Sequence, residues 1–272
     1  MTRRRSRRLA ALLILVLGLT ALGYAVWLTR SGNPGDGSLS SPAGSSAASA
    51  EPVPTRRCEP AVADGIPVQP GTAVPLPDAA ASLGAAQALR GADRSRGDTF
   101  CRDRFGPSTW PDLDRNGCST RQDVLVRQAQ TVTTRRIASK GNTCEEAISG
   151  TWIDPYTGET LTFTNLKDSA QAQRLQIDHV VSLYNAWVSG ASEWTDERRV
   201  IFANDLAAPE LRAVAGAVNF AKDHAGAEAW QPGAAYQCDF ARAYVEVKRR
   251  YDLTVTTRER TALISMLGTC PT

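Results

Sequence analysis

The sequence predicts an α+β domain, a small antiparallel sheet surrounded by helices and closed by disulfides, behind an N-terminal transmembrane helix. Three observations predict it. Between residues 131 and 181, short β-rich runs alternate with turn chemistry. From 183 onward the apolar residues recur every three to four positions, the helical period. Six cysteines follow an N-terminal apolar segment, an even number of the kind that pairs in exported proteins.

The first 30 residues lie outside this fold. Arg3, Arg4, Arg5, Arg7 and Arg8 precede an uncharged apolar run over 9–28, twenty residues long. A bilayer span needs roughly 17–25 residues, and the arginines hold the N-terminus in the cytoplasm. The run is expected to anchor the chain in the cell membrane by a single pass, with an extracytoplasmic domain. The competing reading is a signal peptide cleaved near Gly23-Tyr24-Ala25, which yields a secreted protein. From 31 to 78 the composition turns to Ser, Ala, Pro and Gly, too poor in large apolar side chains to offset ordering entropy. That stretch reads as a disordered linker, and 79–272 as the folded domain.

Charge narrows the function classes. Eight of the 31 basic residues and two of the 28 acidic ones fall in 1–57, leaving 23 against 26 in the remainder. The net charge of +3 therefore belongs to the leader, and any basic surface on the domain must be local. Two histidines and the lack of a Cys-x-x-Cys pair argue against a Cys/His zinc site.

Along the domain, a helix is expected near 79–89. Asp114-Arg115-Asn116-Gly117 has the look of part of a calcium loop, but reads as a turn. Thr120 with Asp123 fits a capping box that opens a helix to about 128. Residues 131–137, 150–153, 160–163 and 175–181 read as strands, with Asp154-Pro155-Tyr156-Thr157-Gly158 as a turn. The last strand then ends one small sheet built of hairpins. Leu183 with Trp187, and 194–202, read as two short helices, and 211–222 as a third that carries Asn219. Tyr236, Phe240, Tyr244, Val247 and Tyr251 form the core stripe of a longer helix, and a final one covers 257–267.

Six cysteines, at 58, 101, 118, 144, 238 and 270, allow 15 connectivities, and their count selects none of them. A hairpin-like return after the short helix would bring Cys118 to Cys144. Antiparallel packing of the last two helices would bring Cys238 to Cys270, which leaves Cys58 for Cys101.

The chemistry centres on Gln176-Ile177-Asp178-His179-Val180-Val181, a strand that ends by presenting an acid beside an imidazole. Such a pair suits a general base next to a metal ligand. The plainer reading is a half-buried histidine bonded to its neighbour. Some forty residues later a helix carries Asn219 and Lys222, the order of parts in a ββα-metal nuclease.

At this point the chain resembles the HNH nuclease domain found at the C-terminus of GmrSD-type restriction enzymes and in exported actinobacterial proteins. The resemblance covers 105–270. It rests on Asn116-Gly117-Cys118-x-Thr120-Arg121-x-Asp123, Asp154-Pro155-Tyr156-Thr157-Gly158, Ile177-Asp178-His179-Val180-Val181 and Val218-Asn219-x-x-Lys222 in collinear order. Trp230-x-Pro232 and Val247-Lys248-x-x-Tyr251-x-Leu253 continue it. The resemblance implies a ββα core and metal-dependent cleavage of nucleic acid, DNA in preference to RNA, with no protein partner inferable. His179 is then the general base, Asp178 and Asn219 the ligands of Mg²⁺ or Mn²⁺, and Lys222 a phosphate contact.

Two departures from the family stand out. Glu210 occupies the place of the asparagine that orients the histidine, and is expected to hold the imidazole as a carboxylate. Asp223-His224 replaces a Gly-Asp pair, and His224 could reach a phosphate. A catalytically degenerate domain that binds at the cell surface without cutting is the rival reading.

Overall fold

The computed structural model describes residues 58–139 and 141–271. The expected membrane helix and the linker up to 57 fall outside them, and among the described residues no helix is long and apolar enough to cross a membrane. The linker boundary is corrected. Residues 58–78 pack on the domain, because their backbone finds partners there: Ala61 N–H bonds to Asp103 O, Gln69 N–H to Leu113 O and Val74 N–H to Ala207 O, each at 2.9 Å. Ala61 and Ile66 share a small core with Leu113 and Val200.

Helix α1 (Ala79–Ala88) opens on Asp78, whose carboxylate accepts from Ala81 N at 2.7 Å. Helix α2 (Thr120–Gln128) follows the Asp112–Gly117 turn, in which Asp112 and Asp114 accept from the backbone N–H groups of Asn116 and Gly117. The expected capping box does not form. The N-cap is Ser119, Thr120 donates its hydroxyl to Pro111 O, and Asp123 accepts from the Asn116 amide instead.

Strands β1 (Thr131–Ser139), β2 (Asn142–Ile153) and β3 (Thr160–Phe163) make an antiparallel sheet in sequence order. After helix α3 (Ser169–Ala172) comes β4 (Leu175–His179), which does not join that sheet. It pairs antiparallel with β5 (Leu211–Ala215), Leu175 opposite Ala215 and His179 opposite Leu211. The expected helix over 211–222 is thus half strand. Leu211, Ala213 and Ala215 favour helix locally, but β4 needs a backbone partner, and the pairing overrides propensity. Helix α6 (Gly216–Lys222) follows directly, which gives the β4–β5–α6 unit.

Helices α4 (Leu183–Val188) and α5 (Asp196–Ala203) lie between the two strands of that unit in sequence. Helices α7 (Gln237–Arg250) and α8 (Thr257–Leu267) close the chain. Lys248 and Glu259, both sealed from solvent, pair at 3.0 Å; the ammonium also donates to Ser189 Oγ and Thr254 O, and the carboxylate accepts from Tyr244 and Asn185. This network pins α7 to α8 and α4. Disulfides join Cys58 to Cys101, Cys118 to Cys144 and Cys238 to Cys270. The last two span 26 and 32 residues and contribute on the order of 3 kcal/mol each by restricting the unfolded chain.

The buried side chains form two large clusters. One unites α2 with the strands and includes Leu175 and Ile177. The other unites the helices and includes Val180 and Val181. Asp178 and His179 therefore stand where the chain passes from one core to the other.

Candidate active site

A polar pair at such a seam must be held by specific partners, since buried polar groups without them cost roughly 1–3 kcal/mol each. Asp178 has two. Lys222 Nζ donates to Oδ1 at 3.0 Å and the Tyr156 hydroxyl to Oδ2 at 2.6 Å. Burial drives the Asp178 carboxyl above the usual range, while the ammonium and the phenol pull it back. The Asp154–Gly158 turn aims Tyr156 at this carboxyl: Asp154 Oδ1 accepts from Tyr156 N at 2.8 Å, and Trp230 and Phe240 pack edge-on against the ring.

Lys222 differs from expectation. One helical turn past Asn219, it was expected at a phosphate. Its side chain is 1% exposed, and Nζ also donates to His179 O at 2.8 Å. It lies beneath the site, binding β4 to α6, and has no path to a substrate.

His179 is fixed on two sides. Its Nε2 is 3.0 Å from Ala203 O, a group that only accepts, so Nε2 carries the proton and Nδ1 is left as a base. Trp110 stacks on the ring at 5.5 Å and 11°. Burial and then the nearby Arg102 bring its pKa down to about 3, so the ring is neutral across the physiological range. Among the described residues Nδ1 has no protein partner.

Above this pair a cavity of about 390 Å³ opens to solvent. Asp178, His179, Asn219, His224, Asp223 and Arg102 line it. Asn219 donates its amide to Gln176 Oε1 at 2.8 Å, which leaves its own oxygen as an acceptor. His224 donates from Nδ1 to Asp223 Oδ2 at 2.6 Å and packs edge-on against Tyr184. Phe220 stands beside Asn219 with 86% of its surface exposed. Four of the expected residues, Asp178, His179, Asn219 and His224, thus meet in one cavity. Sequence reading gave no site role to Arg102, Trp110, Tyr156 or the Ala203 carbonyl; Tyr156 lies in the Asp154–Gly158 motif but reads there only as a turn residue.

Glu210 is the second correction. It does not touch the imidazole, whose orientation comes from Ala203 O. Glu210 is fully buried, accepts from Val181 N through Oε2 at 3.1 Å, and its Oε1 has no partner among the described residues. Burial drives its pKa well above the usual range. The folded protein then keeps a proton that the unfolded chain releases above about pH 4.3. Stability falls as pH rises from there toward the folded-state pKa, by about 1.4 kcal/mol per pH unit. Glu210→Gln should remove this slope. Its denaturant midpoint should match the parent's at pH 4 and exceed it at pH 8; equal midpoints at pH 8 would show that Glu210 is ionised.

The comparisons with known proteins bear on this arrangement. A family model described as the C-terminal domain of GmrSD restriction endonucleases matches residues 119–266. The chain belongs to this family. An uncharacterized secreted protein of Arthroderma benhamiae is 42% identical over 174 residues, which cover 64% of this chain and 76% of that protein. No solved structure matches.

GmrSD C-terminal domains are of the HNH nuclease type, which generally uses a divalent metal. The donor set fits a hard ion. Asp178 retains lone pairs on a carboxylate facing the cavity, Asn219 offers its amide oxygen, and all six sulfurs are in disulfides. Among the described residues, Cys58, Cys101 and Asp103 form the one cluster of three metal-ligating types, and two of them are bonded to each other. The ion would therefore keep much of its water, as Mg²⁺ does.

Proposed function

We propose that this GmrSD C-terminal domain is a metal-dependent endonuclease that hydrolyses phosphodiester bonds outside the cytoplasmic membrane. DNA is the preferred substrate over RNA, in keeping with relatives described as restriction endonucleases. Three disulfides and a secreted relative support the location.

One observation carries the reading. His179 is held neutral, with Nε2–H on Ala203 O and Nδ1 free, in the same cavity as the oxygens of Asp178 and Asn219. Nδ1 takes the proton of the attacking water, while Ala203 O and Trp110 keep the ring from turning away. Arg102, exposed at the cavity wall, attracts the phosphate, whose negative charge offsets the cation beside His179 and so relieves the smaller of the two main causes that lower the imidazole's pKa, burial being the larger. Mg²⁺ or Mn²⁺, held by Asp178 and Asn219, would supply charge stabilisation at the phosphate and the departing oxygen. The product carries a 5′ phosphate.

A non-cutting binding module is favoured by one contrary observation: both oxygens of Asp178 already accept from protein donors. Incubation with supercoiled plasmid separates the two. Nicking in Mg²⁺ or Mn²⁺ that stops in a chelator supports the nuclease. Retention of plasmid without any nicking at millimolar metal would establish the binding module instead.

A further inference from the structure

The chain contains two histidines in 272 residues, and both line the same cavity. The proposed mechanism uses one. We propose that His224 is the second proton-transfer residue, the general acid that protonates the leaving 3′ oxygen; this rests on the nuclease reading.

The geometry around His224 is that of an oriented imidazole. Asp223 Oδ2 accepts from Nδ1 at 2.6 Å, which fixes which nitrogen faces away. Tyr184 packs edge-on against the ring at 5.2 Å. The Ser182 hydroxyl, which also caps α4, donates to His224 O at 3.0 Å. Among the described residues Nε2 has no protein partner, while the side chain is 23% exposed and lines the cavity.

Asp223 itself adds a second observation. Its backbone lies at φ 45 and ψ −128, a conformation that glycine adopts freely and other residues resist. Glycine would close the α6 terminus without strain. The carboxylate stands there at a conformational cost, and the contact the structure gives it is with the His224 ring. Charged and titratable groups facing the ring's surroundings are Asp223 on its own segment, Tyr184 on α4, Arg102 on the turn over 102–105, and Asp178 and His179 on β4. Lys222 is withdrawn onto Asp178.

The step balances. The water oxygen bonds to phosphorus and the P–O3′ bond breaks. The water proton passes to His179 Nδ1; His224 enters the step as the imidazolium, with Nδ1–H held by Asp223, and its Nε2 proton passes to O3′, which leaves it neutral. Solvent exchange then returns both imidazoles to their starting states.

A leaving group that needs no proton isolates this role. The full chain would be assayed on an oligonucleotide with one scissile 3′-oxygen linkage and on its twin with a bridging 3′-sulfur, in the same divalent metal. His224→Ala should slow the oxygen substrate at least about tenfold and the sulfur substrate less than about threefold. His179→Gln should slow both. Asp223→Gly should raise the melting temperature while slowing the oxygen substrate. Equal slowing of the two substrates by His224→Ala would make His224 a binding or structural group, and no slowing would remove it from the reaction. Either result overturns the proposal. A parent chain that cuts neither substrate would overturn the nuclease reading, and the general acid with it.

Discussion

His179→Ala is expected to reduce phosphodiester cleavage by about 10²–10⁴-fold, the usual contribution of a positioned acid–base group. The loss should be in chemistry. Nδ1 is the atom left free once Nε2 is committed to Ala203 O, and the other imidazole that lines the cavity, His224, is assigned to the leaving group. Alanine also removes the stack on Trp110, so the result needs a partner variant. His179→Gln places an amide donor where Nε2–H stood, and keeps the Ala203 bond without supplying a base. Both variants should bind plasmid in metal with the parent's affinity, measured by gel shift in Ca²⁺, and both should fail to nick it. Cleavage by either at the parent's rate would remove His179 from the reaction.

The sequence carried this site unevenly, for physical reasons. Leu175 through Val181 was readable because an apolar strand that ends in Asp-His has few structural uses. The partner strand was not. Leu211, Arg212, Ala213 and Ala215 have helical propensity, and only the pairing with β4 draws them into a sheet. Spacing set Lys222 one helical turn past Asn219, yet Asn219 lines the cavity and Lys222 does not. Spacing cannot tell which of two side chains a turn apart looks outward, and Lys222 looks inward because Asp178 and His179 O await it. Tyr156 read as a turn residue, and the turn is real, but its function is to aim the phenol across 22 residues at Asp178. Glu210 was assigned by its place in a family pattern. A backbone carbonyl, which leaves no mark in a sequence, orients the imidazole instead. The segment over 58–78 read as linker because its composition is poor in large side chains, yet backbone bonds and one disulfide hold it to the domain.

Lys222→Met should destabilise the domain by about 3–5 kcal/mol at pH 8, the cost of leaving one member of a buried ion pair without the other. Methionine fills similar volume, so the loss reports charge. Asp178 would keep the Tyr156 hydroxyl and lose the ammonium at 3.0 Å, in a place where burial already pushes its carboxyl upward. It can escape the penalty by taking a proton, so the sign of the pH dependence is fixed. The variant's folded state holds a proton its unfolded state releases, and the deficit relative to the parent should grow as pH rises from 5 to 8. Guanidinium midpoints at the two pH values measure it. Adding Asp178→Asn removes the stranded charge, and the double variant should recover more than half of the stability while remaining unable to cut. That split separates the two roles of the pair: the ammonium matters to folding because it partners a buried carboxylate, and under the proposed function that carboxylate supplies the hard oxygen a metal would need. A deficit below about 1 kcal/mol at pH 8 would mean that Asp178 is already protonated in the parent, and it could not then hold a metal.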